Sequence, residues 1–278
     1  MADPAALPAR PPGPGPAFPA AAGTRTGVPL SIWPAVPAPV RCPAGAEPTP
    51  CPRRLAPRAA LKVITGFSRP GDLVVIPDAG TGALIVAAAA AARRVLGLTA
   101  SAGHQRDLSA RLDRDLDPAL RALTRLRHGG PRQLLHAASG ETGQAALAVT
   151  AACATPGCPP PAPAGDGDGD GGGPDTDPGL LYAACQRVLR PGGLLAVITS
   201  AARQPGHPGE LIACARAAGL IYTQHIIALH APIRGSRLTI PAADALSLRP
   251  DTAAAAPVNL PIHSDLLLFA APGGPRHD

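Results

Sequence analysis

"RPGDLVVIPDAGTGALIVAAAAAARRVLGLTA", residues 69 to 100, decides the fold. Pro70 and Gly71 mark a turn, and Leu73–Ile76 is a short apolar run of the kind a parallel sheet buries on both faces. Gly80 and Gly82 follow directly, where missing side chains allow a tight turn and let backbone come close to a ligand. Residues 82–94 read as an alanine-rich helix, and 95–100 as a second strand. A strand, a glycine turn, a helix and another strand form a unit that sets both strands parallel in one sheet.

The same pattern continues on either side. "PRAALKVITGFS" (57–68) is helix-like, and "HQRDLSARLDRDLDPALRALTRL" (104–126) is an amphipathic helix interrupted by Pro118. "ALAVTA" (146–151) is a short apolar strand. "GLLYAACQRVL" (179–189), "RPGG" (190–193) and "LLAVITS" (194–200) repeat the order of helix, Pro-Gly turn and strand. "GELIACARAAGL" (209–220) is helix, "IYTQHIIAL" (221–229) strand, and "SDLLLFAAP" (264–272) a final strand. Alternating strands and helices predict an α/β chain with a doubly wound, mostly parallel sheet, whose ligand sits beyond the strands' carboxyl ends.

Residues 1–50 carry proline every few positions and read as a disordered arm. Within it "VPLSIWPAV" (28–36) is an exception, where Ile32 and Trp33 dock on the domain. The domain itself spans 51–270, with a flexible insertion "GCPPPAPAGDGDGDGGGPDTDPG" at 157–179, and 271–278 is a tail. The Asp-Gly alternation of the insertion lacks the closing glutamate and flanking helices of a calcium loop, so it reads as a solvated linker.

The chain has 278 residues and a net charge of +6, enough positive charge to allow a polyanionic partner. Its arginines are spread out rather than clustered, and aromatic residues are only 2% of the chain. DNA or RNA is therefore expected to be held weakly and without sequence preference, because few rings are available to stack on a base. Six cysteines (Cys42, Cys51, Cys153, Cys158, Cys185, Cys214) lack paired zinc spacing and read as reduced thiols, with no metal site. The N-terminus has no apolar signal core, and the longest apolar run, 83–92, is too short for a bilayer. A cytoplasmic protein without membrane contact is expected.

"RPGDLVVIPDAGTGALIVAAA" resembles the adenosylmethionine-binding motif of the DNA amino-methyltransferases and their RNA-modifying relatives, R-P-G-D-x-V-x-D-P-x-x-G-x-G-T-T. "CPRRLAP" (51–57) is similar to that family's H-P-x-K-x-x-P, and "RVLRPGGLLAVITS" (187–200) to the strand after its catalytic motif. "IIALHAPIRGSRL" and "HSDLLLF" resemble its C-terminal hairpin. The similarity covers about residues 51 to 270 and implies the class I methyltransferase fold, with S-adenosylmethionine as cofactor. Carried across position by position, it assigns cofactor contacts to Pro77, Asp78, Ala79, Gly80, Thr81, Gly82 and Thr99.

Where this sequence departs from the motifs, the resemblance implies an eroded site. The family's aspartate before the proline falls on Ile76, and its two threonines on Ala83 and Leu84. The acid that accepts the ribose hydroxyls falls on Leu98 or Thr99, and an aspartate near the adenine on Gly130. Each such charged hydrogen bond is worth roughly 1.5–3 kcal/mol, so cofactor binding is expected to be weak or lost. The catalytic [D/N/S]-P-P-[Y/F/W] tetrapeptide falls on Ala151, Ala152, Cys153 and Ala154, which offer neither a side-chain proton acceptor nor a stacking ring. No catalytic residue is assigned. Cys153 and Cys158 lack the Pro-Cys pair and nearby acid of a ring-carbon methylase and read as inert thiols. The histidines, among them His104, His128, His225 and His230, have no zinc spacing and read as surface or packing residues. The leading expectation is a catalytically impaired relative of the base methylases. Alternatives are a non-catalytic nucleic-acid or partner-binding module, and an active base methyltransferase with a variant site.

Overall fold

The computed structural model describes residues 28–34, 36, 55–99, 101–129, 133–152, 178–200, 207–235, 237–238 and 263–273. Helix α1 (Pro57–Phe67) opens on proline, whose missing amide costs nothing at a first helical position. Its buried stripe is Ala59, Ala60, Val63 and Ile64, and Ser68 closes it by donating both its N–H and its hydroxyl to the Ile64 carbonyl. Strand β2 (Leu73–Ile76) is buried at every position, as the uninterrupted apolar run predicts. Strand β1 (Leu30–Trp33) precedes both and is taken up below.

Helix α2 (Ala83–Ala90) is shorter than expected. Ala92 adopts a left-handed conformation (φ 59°), and the Arg93 N–H turns back to the Ala88 carbonyl, so the helix stops before the two arginines. Arg93 is then buried, its guanidinium donating to the Ser68 carbonyl (2.6 Å), the Ser68 hydroxyl (3.1 Å) and the Ala91 carbonyl. Strand β3 (Arg94–Thr99) follows. Helix α3 (Ala102–Asp115) is capped by Ser101, and the short α4 (Pro118–Arg121) by Asp117, so Pro118 does break the helical run.

Residues 124–126, read from sequence as the end of that amphipathic helix, instead open strand β4 (Thr124–His128). The segment "TRLRH" has one apolar side chain, Leu126, between two exposed arginines, which are tolerated because β4 lies at the sheet's edge. Helix α5 (Leu134–Ala137), strand β5 (Ala145–Ala152), helix α6 (Pro178–Val188), strand β6 (Leu189–Ser200), helix α7 (His207–Ala217) and strand β7 (Ile221–Leu229) continue the alternation. A small ribbon of β8 (Ile233–Arg234) and β9 (Arg237–Leu238) leads toward the last strand, β10 (His263–Ala270).

The "RPGG" stretch, expected as a free turn, lies inside β6. Register moves from Ala145 opposite Leu189 to Leu147 opposite Leu194, so residues 190–193 bulge out of the ladder. A side chain at Gly193 would come within 2.7 Å of the Ala145 carbonyl, which explains a glycine there. Arg190 also pairs with Asp72 (3.2 Å), joining this bulge to the "RPGD" turn.

The main sheet runs β1-β7-β10-β6-β5-β2-β3-β4. Among its neighbouring pairs only those made by β10 are antiparallel, so the expected doubly wound, mostly parallel sheet is present. One face packs Val74, Ile76, Val149 and Leu268 against α1, α2 and α3, and the other packs Val75, Leu98, Leu195 and Phe269 against α5, α6 and α7. Buried side chains of this size each contribute about 1.5–3 kcal/mol of transfer free energy.

Strand β1 corrects the reading of 1–50 as a disordered arm. Leu30–Trp33 pairs in parallel with β7, so the sheet begins before the boundary placed at residue 51. Trp33 stacks on Phe67 (5.7 Å between centroids) beneath the Lys62 ammonium, which is the docking expected of it. Ile32 points the other way and stays 54% exposed. At the other end of the chain's insertion, Pro178 and Gly179 belong to α6 rather than to the linker. Residues 1–27, 157–177 and 274–278, on which the remaining arm, insertion and tail readings fall, lie outside the described residues.

Candidate cofactor site

The chain leaves β2 for β3 and β4 on one side and returns to β5 on the other. The loops at the carboxyl ends of β2 and β5 therefore diverge, and a crevice at such a point is where doubly wound sheets hold ligands. Six of the seven residues expected to contact a cofactor, Pro77 to Gly82, form the loop that leaves β2 there.

Hydrogen bonds fix this loop from within and from outside. The Ala79 N–H donates to the Leu98 carbonyl (2.8 Å), tying the loop to β3, and the Gly82 N–H donates to the Ala79 carbonyl (2.7 Å). The Gly80 N–H donates to Asp78 Oδ1 (3.1 Å), so the half-buried Asp78 carboxylate shapes its own turn. Gly80 and Gly82 have φ of 51° and 78°, a region glycine occupies without strain. From α3, Leu108 packs against Gly82, and the Arg111 guanidinium donates to the Thr81 carbonyl (3.0 Å).

Thr99, the seventh expected contact, is placed differently. It is 1% exposed at the end of β3, and its hydroxyl donates to the Arg127 carbonyl across the ladder (3.3 Å). Ile76 is fully buried in the core formed with Val74 and Ile85. At the end of β5 Thr150 is buried, while Ala151 and Ala152 are half-buried opposite Ile198 and Thr199 of β6. Gly130, Cys153, Ala154 and Cys158 lie outside the described residues, as do Cys42 and Cys51.

Gly82 caps α2 without a side-chain hydrogen bond and the first turn holds no acid, so the opening amides of α2 have no side-chain acceptor. A carboxylate is the sort of group such amides receive. At the end of β2 Ile76 is an apolar core residue, and at the end of β3 Thr99 is a buried hydroxyl rather than an acid.

His225 and His230 are packing residues, whereas His128 at the end of β4 is exposed. His225 Nε2 lies 3.0 Å from Asp265 Oδ1, and His230 bridges the Val36 carbonyl (3.2 Å) and the Ser264 hydroxyl (2.9 Å). Burial lowers the pKa of His230, and neighbouring His263 lowers it further, while the Val36 carbonyl opposes both. Cys185 is a free thiol, and complete burial pushes its pKa up to about 12. Among the described residues, no group of three or more His, Cys, Asp or Glu is arranged to hold a metal ion, and no helix is long and apolar enough to cross a membrane.

No protein-family model and no curated protein matches the chain in sequence. Solved structures do match it in shape. A geranyl diphosphate methyltransferase in complex with adenosylmethionine superposes with a TM-score of 0.50 at 16% identity, covering 78% of this chain and 86% of that one. The same enzyme type with geranyl diphosphate and sinefungin gives 0.51 at 15%, covering 78% of each chain. The cyclase SpnF gives 0.52 at 12%, covering 87% of this chain and 90% of the other.

The chain has the class I methyltransferase fold. In that frame β2 is the fold's first strand and loop 77–82 its glycine turn, while β1 is an additional edge strand. Because a cyclase shares the architecture, the fold by itself does not set the reaction.

Proposed function

We propose that this protein binds S-adenosylmethionine weakly at loop 77–82 and has lost the chemistry of base methylation. One observation carries the reading: Thr99, where the resembled family has its ribose-binding acid, is 1% exposed, and Ile76, where it has the aspartate before the proline, is fully buried in the core. The end of β5 agrees with it, since Ala151 and Ala152 supply no side-chain acceptor for the protons of an exocyclic amine. The test is incubation of the full chain with methyl-labelled adenosylmethionine and mixed DNA and RNA. No incorporation above the protein-free control is expected, and clear incorporation would reverse the reading.

A second substrate class is favoured by the neighbours, two of which are named for geranyl diphosphate. Release of S-adenosylhomocysteine with geranyl diphosphate as acceptor tests it separately. Turnover there with none on nucleic acid would assign the chain to small molecules.

A further inference from the structure

The edge of the sheet carries a concavity. A cleft of about 640 Å³ opens beside β4, between α3 and the segment around α5. Its polar lining is Gln105, Arg125, Arg127, His128, His136 and Ser139, with no carboxylate among the lining residues.

Strand geometry brings the cations together. Arg125 and Arg127 are two residues apart and share one face of β4, opposite Leu96 and Leu98 of β3. That is the face packed by Leu134 and Ala138, so both arginines lie on the same side of the sheet as His136. Glu141 pairs with Arg125 and takes up its charge. Among the described residues no carboxylate pairs with Arg127.

The unpaired edge of β4 supplies further donors. The Val95 N–H donates to the Leu123 carbonyl, the Thr99 hydroxyl to the Arg127 carbonyl, and the Gly129 N–H to the Thr99 carbonyl, so Leu123, Arg127 and Gly129 turn their backbone toward β3. The N–H groups of Leu126 and His128 consequently face outward, toward the cleft. The outward carbonyl of Leu126, which would repel an anion, is already engaged by Gln105 Nε2 (3.1 Å).

We propose that this cleft binds the phosphate or diphosphate group of a small-molecule ligand. A free guanidinium fork beside outward amides suits a phosphate's several acceptor oxygens. The volume falls in the range of small-ligand pockets, and among the described residues no Phe, Tyr or Trp lines it. The proposal stands on the cleft alone and is independent of the cofactor reading.

Calorimetric titration of the full chain with inorganic pyrophosphate at low salt tests it. Saturable one-to-one binding is expected, weakened at least tenfold by Arg127→Gln and unchanged by Arg216→Gln, an exposed arginine on α7. His136→Ala provides a second variant and should weaken binding severalfold, with circular dichroism confirming the fold of each. No saturable binding, or equal loss in Arg127→Gln and Arg216→Gln, would overturn the proposal. So would displacement of pyrophosphate by a single-stranded oligonucleotide at much lower concentration, which would assign the cleft to a nucleic-acid backbone.

Discussion

Replacing Gly82 with alanine should damage the loop at β2 more than an ordinary glycine substitution does. Two costs add. An L-residue held at the φ of 78° found there loses roughly 1–2 kcal/mol. The new methyl group would also overlap Leu108, which is 4% exposed and has little room to retreat. Overpacking of this kind costs roughly 1–3 kcal/mol, and a leucine tip that shifts keeps it near the lower end. The expected sum is about 2–4 kcal/mol. Gly71 provides the control, because its φ is 83° and a methyl group there would meet nothing within 4 Å. Gly71→Ala should therefore show the strain alone, about 1–2 kcal/mol. Urea unfolding of both variants measures the difference, and the double variant Gly82→Ala with Leu108→Ala should be less destabilised than the two single changes summed. If Gly82→Ala proves no more costly than Gly71→Ala, Leu108 does not seat the loop as described.

Three further outcomes follow from groups outside the loop. Arg93→Met should lower stability by about 2–4 kcal/mol in urea unfolding, since the Ser68 and Ala91 carbonyls lose a charged donor while the desolvation of a buried cation is removed. His230 has a folded-state pKa below its ordinary 6.5, so the unfolded chain binds the proton more readily. Its share of stability is present above pH 6.5 and is lost as pH falls through the lowered value, and His230→Gln should flatten that part of a stability profile. Cys185, buried and with its pKa raised to about 12, should resist alkylation at pH 8 in the folded protein and react once unfolded, as mapped by peptide mass spectrometry.

The parallel sheet was legible because its strands are short apolar runs set off by Pro-Gly turns, and loop 77–82 because paired glycines follow such a run. Strand β4 was not, since its alternating arginines continue the spacing of the helix before it, and only edge exposure makes them suit a strand. The cleft beside β4 was hidden with it. The early stop of α2 depends on a left-handed Ala92, a position where sequence favours glycine. Trp33 gave a usable signal for docking, but strand pairing by Leu30–Trp33 is a tertiary choice that its proline-rich surroundings conceal. For Thr99 the sequence placed the residue at the right strand end, while the direction of its hydroxyl depends on a neighbour, β4, that the sequence reading lacked.

Calorimetric titration of the intact chain with S-adenosylmethionine is the most direct test of the account. With Ile76 apolar in the core and the buried Thr99 in place of an acid, two charged acceptors of the resembled motifs are missing. At roughly 1.5–3 kcal/mol each, their loss moves an ordinary micromolar affinity to about the millimolar range. A dissociation constant no tighter than several hundred micromolar, roughly, is expected. Saturation at a few micromolar would contradict it and would make loop 77–82 a working variant of the cofactor site.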